Sequence, residues 1–125
     1  MKKLSPLLIL LLFLSAQLSA QNKFQWARAG GGVVDNPLTG GPYKSNMFDM
    51  QTDKWGNVYM VGDIYNDIQF TGTTQTFPYY GSVDAYIAKY DKCGNFQWAI
   101  INGGISVDRN YALAIDTAGY VYVGG

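Results

Sequence analysis

The chain has 125 residues, with nine Lys and Arg against nine acids and no His, so its formal net charge is zero. That balance offers no clustered basic face to nucleic acid, and the lack of His and Glu removes two of the usual general bases. All nine acids are Asp, and ten Tyr with fifteen Gly is the composition of an all-β protein rich in tight turns.

In chain order, Lys2 and Lys3 precede an apolar run from Leu7 to Leu14 and a small-residue exit through Ser15, Ala16, Ser19 and Ala20. This pattern predicts a secretory signal peptide over 1–20, cut after Ala20, because the run is far shorter than the ~20 residues that span a bilayer. Without Lys2 and Lys3, seven basic residues spaced singly along the chain face nine acids, a formal charge of −2. The expected location is secreted or bacterial cell surface, with no membrane span and no nucleic-acid partner.

From residue 21 to 125 the sequence repeats itself. Lys23-Phe24-Gln25-Trp26-Ala27 returns as Asn95-Phe96-Gln97-Trp98-Ala99, an offset of 72, and the Asp53–Tyr59 stretch returns at Asp116–Tyr122, an offset of 63. Repeat one is assigned to 23–94 and the start of repeat two to 95–125. Self-similarity at near-fixed spacing implies stacked units that bury apolar faces against their neighbours. Because such arrays need roughly three units to build a continuous core, the chain is expected to be the N-terminal fragment of a longer protein.

Within each copy the pattern is that of strands. Phe48, Met50 and Thr52 alternate with Asp49, Gln51 and Asp53, and Tyr111, Leu113 and Ile115 alternate with Ala112, Ala114 and Asp116; period two predicts extended chain. Each run leads through Asp-x-x-Gly into another strand, Asn57 to Tyr65 and Tyr120 to Gly125, and a third such turn joins Asp84–Tyr90 to Phe96–Ile101. The turn residues are Asp53 and Gly56, Asp91 and Gly94, Asp116 and Gly119. Gly reaches the left-handed conformation that a short hairpin requires, and the Asp carboxylate accepts N–H groups further along the turn. Residues 66–83 and Gly30–Ser45 read as long connecting loops. One unit is therefore four antiparallel strands, the blade of a β-propeller, and Phe24-Gln25-Trp26-Ala27 reads as the fourth strand of such a unit.

Gly56-Asn57-Val58-Tyr59-Met60-Val61-Gly62, Asp84-Ala85-Tyr86-Ile87-Ala88-Lys89-Tyr90-Asp91 and Gly94-Asn95-Phe96-Gln97-Trp98-Ala99 together resemble the SBBP-type bacterial β-propeller repeat, over nearly all of 23–125. The resemblance implies a bladed propeller, incomplete at about one and a half repeats, in an exported bacterial protein. It implies no particular activity. The expected role is non-catalytic binding, adhesion or scaffolding toward an extracellular glycan or protein, with missing C-terminal blades or self-association covering the open faces. The alternative is the propeller part of an extracellular enzyme whose active site lies in other blades or a fused domain.

No catalytic, cofactor or metal residue is assigned, and no cofactor is expected. Asp108 with Asp116, or Asp63 with Asp67, offer carboxylates but match no calcium-loop spacing. Cys93 stands alone in its turn with no His to act as its base. Tyr43, Trp55, Tyr79 and Tyr80, in expected loops and turns, are the candidate ligand-contact aromatics.

Overall fold

The computed structural model describes residues 26–28, 30–32 and 45–125. The expected signal peptide, its cut after Ala20, and Tyr43 lie outside them. In chain order the strands are β1 (Gly30–Gly32), β2 (Ser45–Thr52), β3 (Val58–Ile64), β4 (Ile68–Phe70) and β5 (Thr76–Phe77). They continue as β6 (Asp84–Tyr90), β7 (Phe96–Asn102), β8 (Ala112–Ile115) and β9 (Val121–Gly124). All pair antiparallel, in a four-stranded sheet ordered β2-β3-β6-β7, a three-stranded sheet β1-β4-β5 and the hairpin β8-β9. Among the described residues no helix is long and apolar enough to cross a membrane.

The main sheet is a meander whose register runs from Val58 opposite Tyr90 to Ile64 opposite Asp84. Two of the expected loops are corrected. Gly30–Gly32 opens the Gly30–Ser45 stretch as a strand, and 66–83 contains β4 and β5. The physical reason is apolar: Ile68, Phe70 and Phe77 are buried, and ordering their short strands covers one side of the main sheet. Trp26 and Ala27, expected in the fourth strand of a unit, have no regular structure, nor has Arg28.

Each side of the main sheet has its own core. On one, Met60, Tyr86, Ala88 and Tyr90 pack with Ile68, Phe70 and Phe77 of the small sheet, and the Phe70 ring lies 5.5 Å from Phe77, 5.4 Å from Tyr86 and 5.9 Å from Phe96. On the other, Tyr59, Val61 and Ile87 take Leu113, Ile115 and Val121 of the hairpin, with Trp98 beside them. Every residue of β3 is consequently buried. An antiparallel sheet commonly leaves one face to water; here the two central strands, β3 and β6, are covered on both, while β2 and β7 stay largely exposed.

The hairpin is held to β2 by a ring contact and a hydrogen bond. Phe48 and Tyr111, 63 residues apart, bring their rings to 5.1 Å, and the Leu113 N–H donates to the Asp49 carboxylate at 2.8 Å. Phe48 and Tyr111 thus meet at equivalent steps of the two copies, while Leu113 lies on Tyr59 and Val61.

Candidate functional site

The two ends of the main sheet differ in kind. One end is closed by the tight turns, which share one hydrogen-bond pattern. Asp53, Asp91 and Asp116 each accept at Oδ1 the N–H groups two and four residues on, at 2.8–2.9 Å. The glycine N–H returns to the aspartate carbonyl at 3.0, 2.9 and 3.1 Å, and Gly56, Gly94 and Gly119 have φ of 86°, 81° and 94°. Oδ2 takes the Asn57 amide, the Asn95 amide and the Tyr122 hydroxyl respectively. These turns also interlock with aromatic side chains: Trp26 donates from its indole to the Lys92 carbonyl at 3.1 Å, Arg28 donates to the Gly94 carbonyl at 2.6 Å, and the Trp55 ring lies over Gly119.

The carboxyl groups of these turns sit below the usual carboxylate range. For Asp53, burial pushes upward but is outweighed by hydrogen bonds from Asn57, Trp55 and Tyr59; for Asp91 the main cause is the Asn95 N–H, and for Asp116 the Tyr120 N–H. A folded value depressed below the unfolded one adds stability that is complete above the unfolded value, near 3.9, and is lost as pH falls through the folded value. The thermal midpoint is accordingly expected to hold at neutral pH and to drop between about pH 4 and pH 2. Asp91→Asn is expected to lower the midpoint at pH 7 and to flatten that acid limb; a variant with an unchanged limb would assign the acid loss to other groups.

The opposite end gathers the irregular connections, and there the polar chemistry lies. Asp63 at the end of β3 is fully buried, accepting the Asn46 amide at 2.7 Å on one oxygen and the Arg109 Nε at 2.8 Å on the other. Arg109 comes from the segment between β7 and β8, and hydrogen bonds to Tyr111, Tyr65 and Asp63 hold its guanidinium protonated. Burial, with the Asp63 charge beside it, pushes the Tyr86 phenol up to about 12, so it stays neutral. Asp84, also fully buried, accepts the Tyr80 N–H at Oδ2, while Oδ1 has no hydrogen-bond partner and lies against Gly103. Asp108 accepts the Gly104 N–H at 3.1 Å and donates its own N–H to the Val83 carbonyl at 2.8 Å, tying the two connections together. Between them and the hairpin opens a cleft of about 710 Å³, lined by Asn102, Gly104, Asp108, Arg109 and Asn110 among others.

The candidate aromatics do not form one site. Tyr79 and Tyr80 belong to this loop end; Tyr79 is half-buried, its N–H on Asp67, and Tyr80 is 57% exposed. Trp55 is at the turn end, its ring under the Lys54 ammonium at 4.5 Å. Cys93 is an exposed free thiol at the turn end. The carboxylates weighed as cation ligands are also separated: Asp116 serves its turn, while Asp63, Asp67 and Asp108 each hold a hydrogen-bond donor. Among the described residues no three acid, His or Cys side chains converge. The sequence reading missed Arg109, although a signal existed. Arg109 stands 63 residues after Asn46, the same step of the repeat, and both side chains grip Asp63.

No family model matches this chain. A stretch of 44 residues is 39% identical to the protein named Regulatory protein FlaEY from Caulobacter vibrioides, a match that covers 35% of this chain and 5% of that protein. The chain thus spans a small fraction of the length of that curated relative.

Proposed function

We propose that this chain belongs to an exported, non-catalytic β-propeller-repeat protein of the SBBP type, and that its loop end binds an extracellular glycan. The observation that carries this reading is the asymmetry of the sheet, with three near-identical turns at one end and the cleft, Tyr80 and the long connections at the other. The blade reading is supported by a four-stranded meander apolar on both sides, with β2 and β8 adjacent, as radially repeated sheets require. At the loop end Arg109 pairs with Asp63. Beside that pair lie carboxylates that accept backbone N–H groups, Asp67, Asp84 and Asp108, with amides, backbone groups and an exposed phenol, a surface suited to sugar hydroxyls beside an aromatic ring.

The test is retention of the full chain on a panel of soluble extracellular polysaccharides, followed by titration of those that bind. Tyr80→Ala is expected to weaken binding tenfold or more, about 1.4 kcal/mol, and Trp55→Ala, at the other end, to leave it unchanged. No binding to any member of the panel, or equal loss from Trp55→Ala, would overturn the reading.

A further inference from the structure

We propose that Asn102 is a site of spontaneous covalent modification, losing ammonia through attack by the Gly103 nitrogen and ending as aspartate or isoaspartate. The inference is independent of the glycan reading and of any docking surface, since its only co-reactant is water. Asn102 ends β7, opposite Ala85, and β7 is an outer strand of the main sheet. The strand stops there, so Gly103 lies outside it. A glycine after asparagine, itself a thermolabile residue, leaves the attacking nitrogen without a side chain to block it and turns readily into the geometry of attack. The fold demands that glycine, because a Cβ at position 103 would overlap the carboxylate of Asp84, which is fully buried. The labile pair is thus built in, since the packing of Asp84 excludes at 103 the side chains that would slow the reaction.

The other described asparagines are protected. The amides of Asn46, Asn57 and Asn95 donate to Asp63, Asp53 and Asp91, and that of Asn110 donates to the Tyr86 carbonyl. Asn66 precedes Asp67, whose side chain crowds the nitrogen that would attack. Asn102 is exposed, and among the described residues its amide has no hydrogen-bond partner. In the first step the Gly103 nitrogen bonds to the side-chain carbonyl carbon of Asn102, its proton departs with the amide nitrogen as ammonia, and a cyclic imide remains. Water then opens the imide at one of its two carbonyls, and no oxidant or reductant enters. Both products add a carboxylate; isoaspartate also routes the main chain through the former side chain and lengthens it by a carbon. The extra carbon enters just before Gly103, which fits against Asp84, and Gly104, whose N–H donates to Asp108. Asp108 in turn donates its N–H to the Val83 carbonyl, beside the bridge of Val83 with Val107. A lengthened chain cannot keep both fits, so the isoaspartate form is loosened at the loop end.

Peptide mapping by mass spectrometry on the purified full chain, held in mildly alkaline buffer and sampled over time, tests this, with isoaspartate scored by a methyltransferase specific for it. Loss of the side-chain amide and gain of isoaspartate are expected at Asn102 before any other described asparagine. Asn102→Gln is expected to give the same far-ultraviolet circular dichroism and no conversion at that position. The isoaspartate-bearing fraction is expected to unfold at a lower temperature than both the unconverted chain and freshly prepared Asn102→Asp, which adds the charge without the extra carbon. An Asn102 amide that persists while another described asparagine converts, or an isoaspartate-bearing fraction no less stable than Asn102→Asp, would overturn the proposal.

Discussion

Phe70→Ala is expected to destabilise the fold by about 3–5 kcal/mol, the range for removing a fully packed aromatic ring. Phe70 is 1% exposed, and its ring meets Phe77, Tyr86 and Phe96 at 5.4–5.9 Å. It bridges the small sheet and the main sheet, so truncation leaves a cavity that three rings from separate strands cannot close together. The magnitude decides between two accounts of residues 66–83. A loop lying loosely on the surface tolerates substitution within about 0.5 kcal/mol; a segment that forms one wall of the core does not. Urea unfolding followed by tryptophan fluorescence measures the difference, and a loss under about 1 kcal/mol would return β4 and β5 to the status of loop.

Gly62→Ala is expected to cost about 3 kcal/mol or more, through backbone overlap and not through lost burial. Gly62 pairs with Met47 at the point where β2 carries a register shift before Asp49. A Cβ on Gly62 would overlap the Asn46 carbonyl oxygen and come within 2.9 Å of the Tyr86 ring. Neither can yield easily: Asn46 is pinned to Asp63, and Tyr86 is packed under Phe70. Gly104→Ala is the matched control, since nothing lies within 4 Å of its Cβ position, and it is expected to stay within about 0.5 kcal/mol of the parent. Comparable midpoints for the two variants in thermal unfolding would show that β2 and β3 do not approach this closely.

The main sheet was legible because its signals are local. Alternation marks β2 and β8, and each Asp-x-x-Gly places an acceptor and a left-handed glycine where a hairpin turn needs them. β1, β4 and β5 span only three, three and two residues, too short for any period to register; they exist because Phe70 and Phe77 find rings on other strands. The ion pair of Arg109 with Asp63 joins residues 46 apart, a distance at which charge pattern says nothing. Only the alignment of Asn46 with Arg109 hinted at it. Tyr80 and Trp55 read alike in sequence as exposed aromatics, and only the strand directions put them at opposite ends.

The central claim is that the central strands of the main sheet are covered on both sides, by the small sheet on one and by the β8-β9 hairpin on the other. Nuclear Overhauser contacts in the isotope-labelled full chain test this most directly. The account predicts cross-peaks between the Phe48 and Tyr111 rings and between Tyr59 and Leu113, alongside those from Phe70 to Tyr86 on the other side. Phe70 contacts with no cross-peak from the main sheet to Tyr111 or Leu113 would contradict it, leaving a sheet with one open face and a hairpin that packs elsewhere.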